Sequence, residues 1–168
     1  MRTYDCTLNR RSTRKFKQDE VSILDVYRML ESAMAAPSAK NSQPWEFYII
    51  KSKDIQEKIK SVSTGYNYNS TMMVVVAINS NRILGKDLIG FACQDCAAAI
   101  ENMLLTAEEL ELGTCWCGAY PNIERSNQIR EIIKEKDNIL PMAVIQIGYK
   151  DEIKESRTQF DSNKVHTI

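Results

Sequence analysis

Apolar and polar positions follow two different periods along this chain, and the changes of period mark its elements. In "SILDVYRMLESAMAAPS", apolar residues fall at Ile23, Val26, Tyr27, Leu30, Ala33 and Met34, the spacing of one helical face. Ser22 stands where an N-cap belongs, with Asp25 three residues on, and Pro37 closes the helix. Residues 46–51, "EFYIIK", are rich in strand formers, and residues 53–62, "KDIQEKIKSV", read as a short amphipathic helix. The run "MMVVVAI", 72–78, is expected to be a buried strand. From 88 to 112 the only Gly or Pro is Gly90, and Phe91, Cys93, Cys96, Ala97, Ile100, Met103, Leu104 and Ala107 recur at helical spacing. This predicts the longest helix, with alanines suited to close packing on a second one. "GTCWCGAYP" follows as a short strand and loop, "IERSNQIREIIKEK" as a surface helix, and "MAVIQIGY", 142–149, as a core strand. The tail, 150–168, is polar and without period. Four strands among alternating helices predict an α+β layered fold, and the absence of repeats or linkers predicts one domain, 1–168.

Composition narrows the function. A chain of 168 residues buries roughly 70% of its unfolded surface. Its 22 basic and 22 acidic residues leave no net field to hold a polyanion. The one dense basic cluster is "NRRSTRKFK", 9–17, so nucleic acid is not an expected partner. No apolar run exceeds the seven residues of "MMVVVAI", too few to span a bilayer, and the first twelve residues do not resemble a secretory leader. Five cysteines, an odd number, then read as reduced thiols, and a cytoplasmic location is expected. The single histidine is His166, near the end of the chain. Ser–His or Cys–His nucleophile pairs and His-ligated metals are therefore not expected.

Four segments carry candidate chemistry. Cys93, Cys96, Cys115 and Cys117 approximate a four-thiolate zinc spacing, but the first two lie inside a periodic helix without a knuckle. Buried cysteines acting as small hydrophobes are the favoured reading, and no metal is expected. "APSAKNSQPWEF", 36–47, crosses a polar loop whose hydroxyls, amides and N–H groups suit a polar planar ligand. The plainer reading has Ser38 and Asn41 making turn bonds and Trp45 in the core. In "LGTCWCGAY", Gly113 reads as a helix-ending glycine, and Gly118 as one that lets backbone approach a flat ligand. Arg10, Ser12 and Arg14 alternate, so in extended or turning chain they can point one way and converge on one phosphate, although for such a run in isolation a solvated basic N-terminus is the favoured reading.

These segments, in this order, resemble the nitroreductase family of flavin-dependent oxidoreductases. "RRSTRKF", "PSAKNSQPW", "LGTCWCGAY", "MAVIQIGY" and the tail "ESRTQFDSNKVH" carry the resemblance over nearly the whole chain. It implies a three-layer fold, a central and mainly antiparallel sheet flanked by helices. It also implies a homodimer, with FMN at the interface and each C-terminal tail wrapping the partner. Arg10, Arg11 and Ser12 match positions that bind the FMN phosphate and ribityl chain, and Arg14 matches a basic residue near N1 and O2 of the ring. Pro37, Ser38, Ala39 and Asn41 match the loop that the second subunit lays on the flavin. Cys117, Gly118 and Ala119 match the loop whose backbone N–H approaches N5, and Arg157 matches a tail arginine on the phosphate. Glu155 stands where some relatives carry a lysine, and "STGYNYNSTMM" matches no motif of the family. The implied activity is ping-pong transfer of hydride from NADH or NADPH, through flavin N5, to a nitroaromatic, quinone or similar electron-poor acceptor. No catalytic side chain is then required. Two alternatives stand beside it. One is a flavoprotein of the same fold with other chemistry, such as reductive dehalogenation or flavin fragmentation. The other is a non-enzymatic flavin- or zinc-binding interaction protein.

Overall fold

The computed structural model describes residues 2–85 and 88–168. In chain order the elements are α1 (Thr3–Asn9), α2 (Ile23–Met34), β1 (Trp45–Ile50), α3 (Lys53–Ser61), β2 (Met72–Asn79), α4 (Ile89–Glu109), β3 (Leu112–Gly118), α5 (Ile123–Ile132) and β4 (Ile139–Tyr149). The strands form one antiparallel sheet in the order β1-β2-β4-β3. A three-layer α+β arrangement follows from how β2 is sorted. Met72, Val74, Val76 and Ile78 face a core shared with α2 and α4, while Met73 and Val75 face a second core with Ile59 of α3 and Ile129 of α5. Successive strand residues point to opposite faces, so the unbroken apolar run serves both cores.

The Ser22 cap is present, its hydroxyl accepting from the N–H of Leu24 at 3.3 Å. The buried face of α2 is Val26, Met29, Leu30 and Ala33, which leaves Tyr27 and Met34 exposed with Leu24 on the outer side. Likewise Phe91 of α4 is 48% exposed rather than in the core. The helical periodicity was wide enough to cover two faces, and only one of them is buried within the chain.

Gly113 does not end a helix. It lies in β3, and the left-handed residue that turns the chain after α4 is Glu111, with φ 61. Gly113 is needed for a close approach instead, because a Cβ there would stand 2.7 Å from Thr13 Oγ1. Gly148 does the same for Phe16, whose ring carbon would be 2.8 Å away. Through these two gaps the segment after α1 crosses the sheet end, bridging Ser12 to Thr114 and Phe16 to Lys150. The start of the tail then runs antiparallel along it. Lys17 and Asp151 donate backbone bonds to Tyr149 and Lys15, and Arg157 donates to Leu8 at 3.2 Å.

Candidate active site at the free edge of the sheet

β3 is an edge strand, and its outer side is where the basic segment and the glycine of the second motif meet. The Thr114 carbonyl accepts from Thr13 on that side, and the N–H of Ala119 donates inward to Met142. By the alternation of an antiparallel ladder, Thr114, Trp116 and Gly118 turn their backbone groups outward. Gly118 is exposed, and a Cβ added to it would have no atom within 4 Å. Past the bridge at Thr114, the outward backbone of Trp116 and Gly118 is thus available to a planar ligand.

Arg14 stands beside this edge. Its Nε donates to the Tyr68 hydroxyl at 3.3 Å, and its N–H to Glu152 Oε1 at 2.5 Å. The Tyr68 hydrogen bond, with Cys115 nearby, raises the Arg14 pKa above the ordinary arginine value, so the side chain is a fixed cation. A hydrogen bond from Cys117, working against burial and helped by Arg14 and Lys154, brings the Cys115 thiol down to about 7, and its partner Cys117 is pushed up. Burial raises the Glu152 carboxyl, yet hydrogen bonds from the N–H of Arg14, from Lys154 and from the N–H of Lys15 outweigh it and lower its pKa.

Arg10 takes a different course. Its Nε is ion-paired with Glu101 of α4 at 3.3 Å but makes no hydrogen bond, so a buried donor has a charge partner and no hydrogen-bond acceptor. Arg10 and Arg14 therefore reach opposite layers and do not converge on one anion, as simple alternation predicts. The 8–17 segment is not straight, being pinned at Thr114 and again at Lys150. Arg11 donates to the Glu155 carbonyl, and Lys154 Nζ to the Ser12 carbonyl at 2.5 Å. Arg10, Arg11, Ser12, Lys154 and Arg157 thus gather at one corner. Lys154 was not picked out in the sequence, where the neighbouring Glu155 drew notice; only the register of the tail against residues 8–15 reveals it.

Residues of "STGYNYNSTMM" also belong to this edge. Tyr66 donates to the Gly118 carbonyl at 2.7 Å, Tyr68 holds Arg14, and Asn69 exchanges two bonds with the backbone of Phe16, at 3.0 and 2.7 Å. Cys117 and Ala119 are buried, so only backbone from that motif can face a ligand. A cavity of about 730 Å³ lies between residues 9–17 and 150–154, lined by Arg11, Lys17, Lys150, Lys154, Glu108 and Glu152. It shares Arg11, Lys154 and Glu152 with the site just described, while Arg10, Arg14 and Gly118 do not line it.

The loop of Pro37, Ser38, Ala39 and Asn41 is not brought to this edge. It leads into β1, on the opposite side of the sheet, three strand spacings or about 14 Å from β3. There it is tightly built. Asp95 of α4, 7% exposed, accepts from the Ala39 N–H at 3.0 Å and the Ser42 hydroxyl at 3.5 Å. Ser38 accepts from Gln43 N–H and Asn41 from the Gln43 amide, the turn bonds of the plainer reading. Lys40, Asn41 and Gln43 all have positive φ, 50, 56 and 45, a strained path that non-glycine residues keep only when their surroundings enforce it. Trp45 is in the core, at 5% exposure. The cysteines are free, and no group of three or more metal-ligating side chains occurs among the described residues. No helix there is long and apolar enough to cross a membrane.

Comparison with known proteins places this geometry. The profile of the Nitroreductase family matches residues 7–69 and 68–149. A protein of Archaeoglobus fulgidus, provisionally named NADH dehydrogenase/NAD(P)H nitroreductase, is 33% identical over 94% of this chain and 92% of its own. The crystal structure of a provisionally named NADH oxidase from Clostridium acetobutylicum superposes with TM-score 0.90 at 34% identity, covering 96% of this chain and 98% of that one. An FMN-dependent nitroreductase from Clostridium difficile does so with TM-score 0.86 at 28% identity, covering 96% of both chains. The matched segments carry residues 10–14, the 37–43 loop and the β3 edge alike, and by that agreement the chain belongs to the Nitroreductase family.

Proposed function

We propose that this chain is an FMN-dependent NAD(P)H oxidoreductase that works as a homodimer, with each flavin held between the β3 edge of one copy and the 37–43 loop of the other. The observation that carries the reading is the β3 edge itself. It combines outward N–H groups, a Gly118 with open space where a side chain would stand, and the fixed Arg14 cation. The orphaned Nε of Arg10, in a corner with Arg11, Ser12, Lys154 and Arg157, suits the missing acceptor being a phosphate oxygen. When bound, FMN supplies a two-electron carrier that takes hydride from NADH or NADPH and yields it to a nitroaromatic, quinone or similar electron-poor acceptor, the two using one pocket in turn.

The residues bind, orient and set charge. Arg10, Arg11, Ser12 and Arg157 hold the phosphate end, and Lys154 adds a cation that strengthens this grip where Glu155 offers none. Arg14 places positive charge at the pyrimidine edge of the ring, where reduction adds negative charge. Gly118, between Cys117 and Ala119, presents its N–H to the ring's central nitrogen. Pro37, Ser38, Ala39 and Asn41 cover the ring from the partner copy.

Dimerisation is supported by what the lone chain leaves bare. Leu24, Tyr27 and Met34 of α2 and Phe91 of α4 are 66, 58, 52 and 48% exposed, and the tail carries Phe160 and Val165 uncovered. Apolar groups in such number are expected to meet a second surface. The test is direct: the purified protein should be yellow, release one FMN per chain on denaturation, and consume NADH or NADPH when a nitroaromatic or quinone is added. A colourless protein that FMN cannot reconstitute contradicts the reading.

A further inference from the structure

The Gly118 carbonyl accepts two side-chain hydrogen bonds from different elements, the Tyr66 hydroxyl at 2.7 Å and Arg125 Nη1 at 3.1 Å. The donors also hold each other, the Arg125 guanidinium lying 5.6 Å from the centroid of the Tyr66 ring. Each is anchored in turn. Tyr66 is 2% exposed, and its own carbonyl accepts from Gln146 Nε2 at 2.7 Å, while Gln146 Oε1 accepts from Ser70 at 2.8 Å. Arg125 sits in the first turn of α5, its N–H bonded to the Asn122 side chain at 2.9 Å.

A strand does not need such a lock to end. Gly118 is the last residue of β3 and has no side chain to anchor it, and beyond the inward bond of the Ala119 N–H to Met142 its backbone torsions are those of an unhindered glycine. In an antiparallel strand the N–H and C=O of one residue point the same way. The amide belongs to the 117–118 peptide and the carbonyl to the 118–119 peptide, so holding the carbonyl limits rotation about the one residue, Gly118, that joins the two planes. We infer that Tyr66 and Arg125 are positioning residues that hold the Gly118 amide toward the flavin through its carbonyl. This rests on the reading of Gly118 as facing the cofactor.

The test is amide exchange at Gly118 in ¹⁵N-labelled, FMN-loaded protein, comparing the native chain with Tyr66→Phe/Arg125→Gln. The expected result is exchange on the order of tenfold faster at Gly118 in the variant, the size of one lost hydrogen bond's ordering, with Thr114 unchanged. Arg125→Lys, which keeps a cation and a donor, should recover part of the protection. If the double variant does not fold, Arg125→Gln alone, at a half-buried side chain, is expected to speed exchange by a smaller factor. A folded, FMN-loaded variant whose Gly118 amide exchanges at the native rate overturns the inference. If the native chain takes up no FMN, the reading of the site has failed, and the inference falls with it.

Discussion

Two glycines of β3 separate structure from function at single positions. Gly113→Ala drives a methyl group to within 2.7 Å of Thr13, whose segment is bonded to Thr114, so neither side yields easily. The expected cost is about 1–3 kcal/mol, seen as a Tm lowered by several degrees in thermal melts. Gly118→Ala adds its methyl to empty space, at a residue whose φ lies outside the left-handed region, so the fold should keep its Tm to within a degree or two. FMN retention, measured by dialysis, should instead fall by about tenfold, because the methyl occupies the space that we assign to the ring. Arg10→Ala and Arg14→Ala are likewise expected to lose flavin on dialysis with far-UV circular dichroism unchanged. Full occupancy in both would show that the phosphate and ring-edge assignments are wrong.

At the scale of elements, most of the fold was legible because its helices and strands are strongly periodic. α2, α4, β1 and β2 match their sequence expectations to within a few residues, and the two-sided burial of β2 was readable in its unbroken apolar run. α1 was missed, since "TYDCTLN" buries only Cys6 and offers no stripe. The turn after α4 was misplaced because glycine is the default left-handed residue, and here Glu111 takes that position while Gly113 serves a contact distant in sequence. For the site, motif positions were legible but partners were not. The bonds from Tyr66 to Gly118, Lys154 to Ser12 and Ala39 to Asp95 span 52, 142 and 56 residues, and no local pattern announces them. Asp95 yields a prediction at this scale. It lies in a helix that reads as plain packing, yet it pins the strained 38–42 loop, so Asp95→Ala leaves the partly buried Ala39 N–H without its acceptor. A loss of about 1–3 kcal/mol is expected, with faster proteolytic cleavage at 38–43 than elsewhere.

For the whole molecule, alkaline pH tests the packing of the second core. Burial is the leading cause that pushes Tyr66 up to about 12, against the opposing charge of Arg125, and burial also takes Tyr48 to about 12, with Glu135 and Glu46 adding to it. Both begin from an ordinary value of 10. Folding therefore holds two protons that the unfolded chain gives up first. Their contribution to stability is complete below pH 10 and is lost as pH rises toward about 12. An ultraviolet phenolate titration should show two of the seven tyrosines ionising late, and denaturant midpoints should fall over that window. The other whole-molecule claim is that one chain holds only half a site, since β3 and the 37–43 loop lie on opposite sides of the sheet. Sedimentation velocity of the purified protein, followed at the visible absorbance of the flavin, tests it most directly. The flavin should travel with a single species of twice the 19.2 kDa chain mass, one FMN per chain. Flavin travelling with a 19.2 kDa monomer, or protein sedimenting with none, would contradict the account.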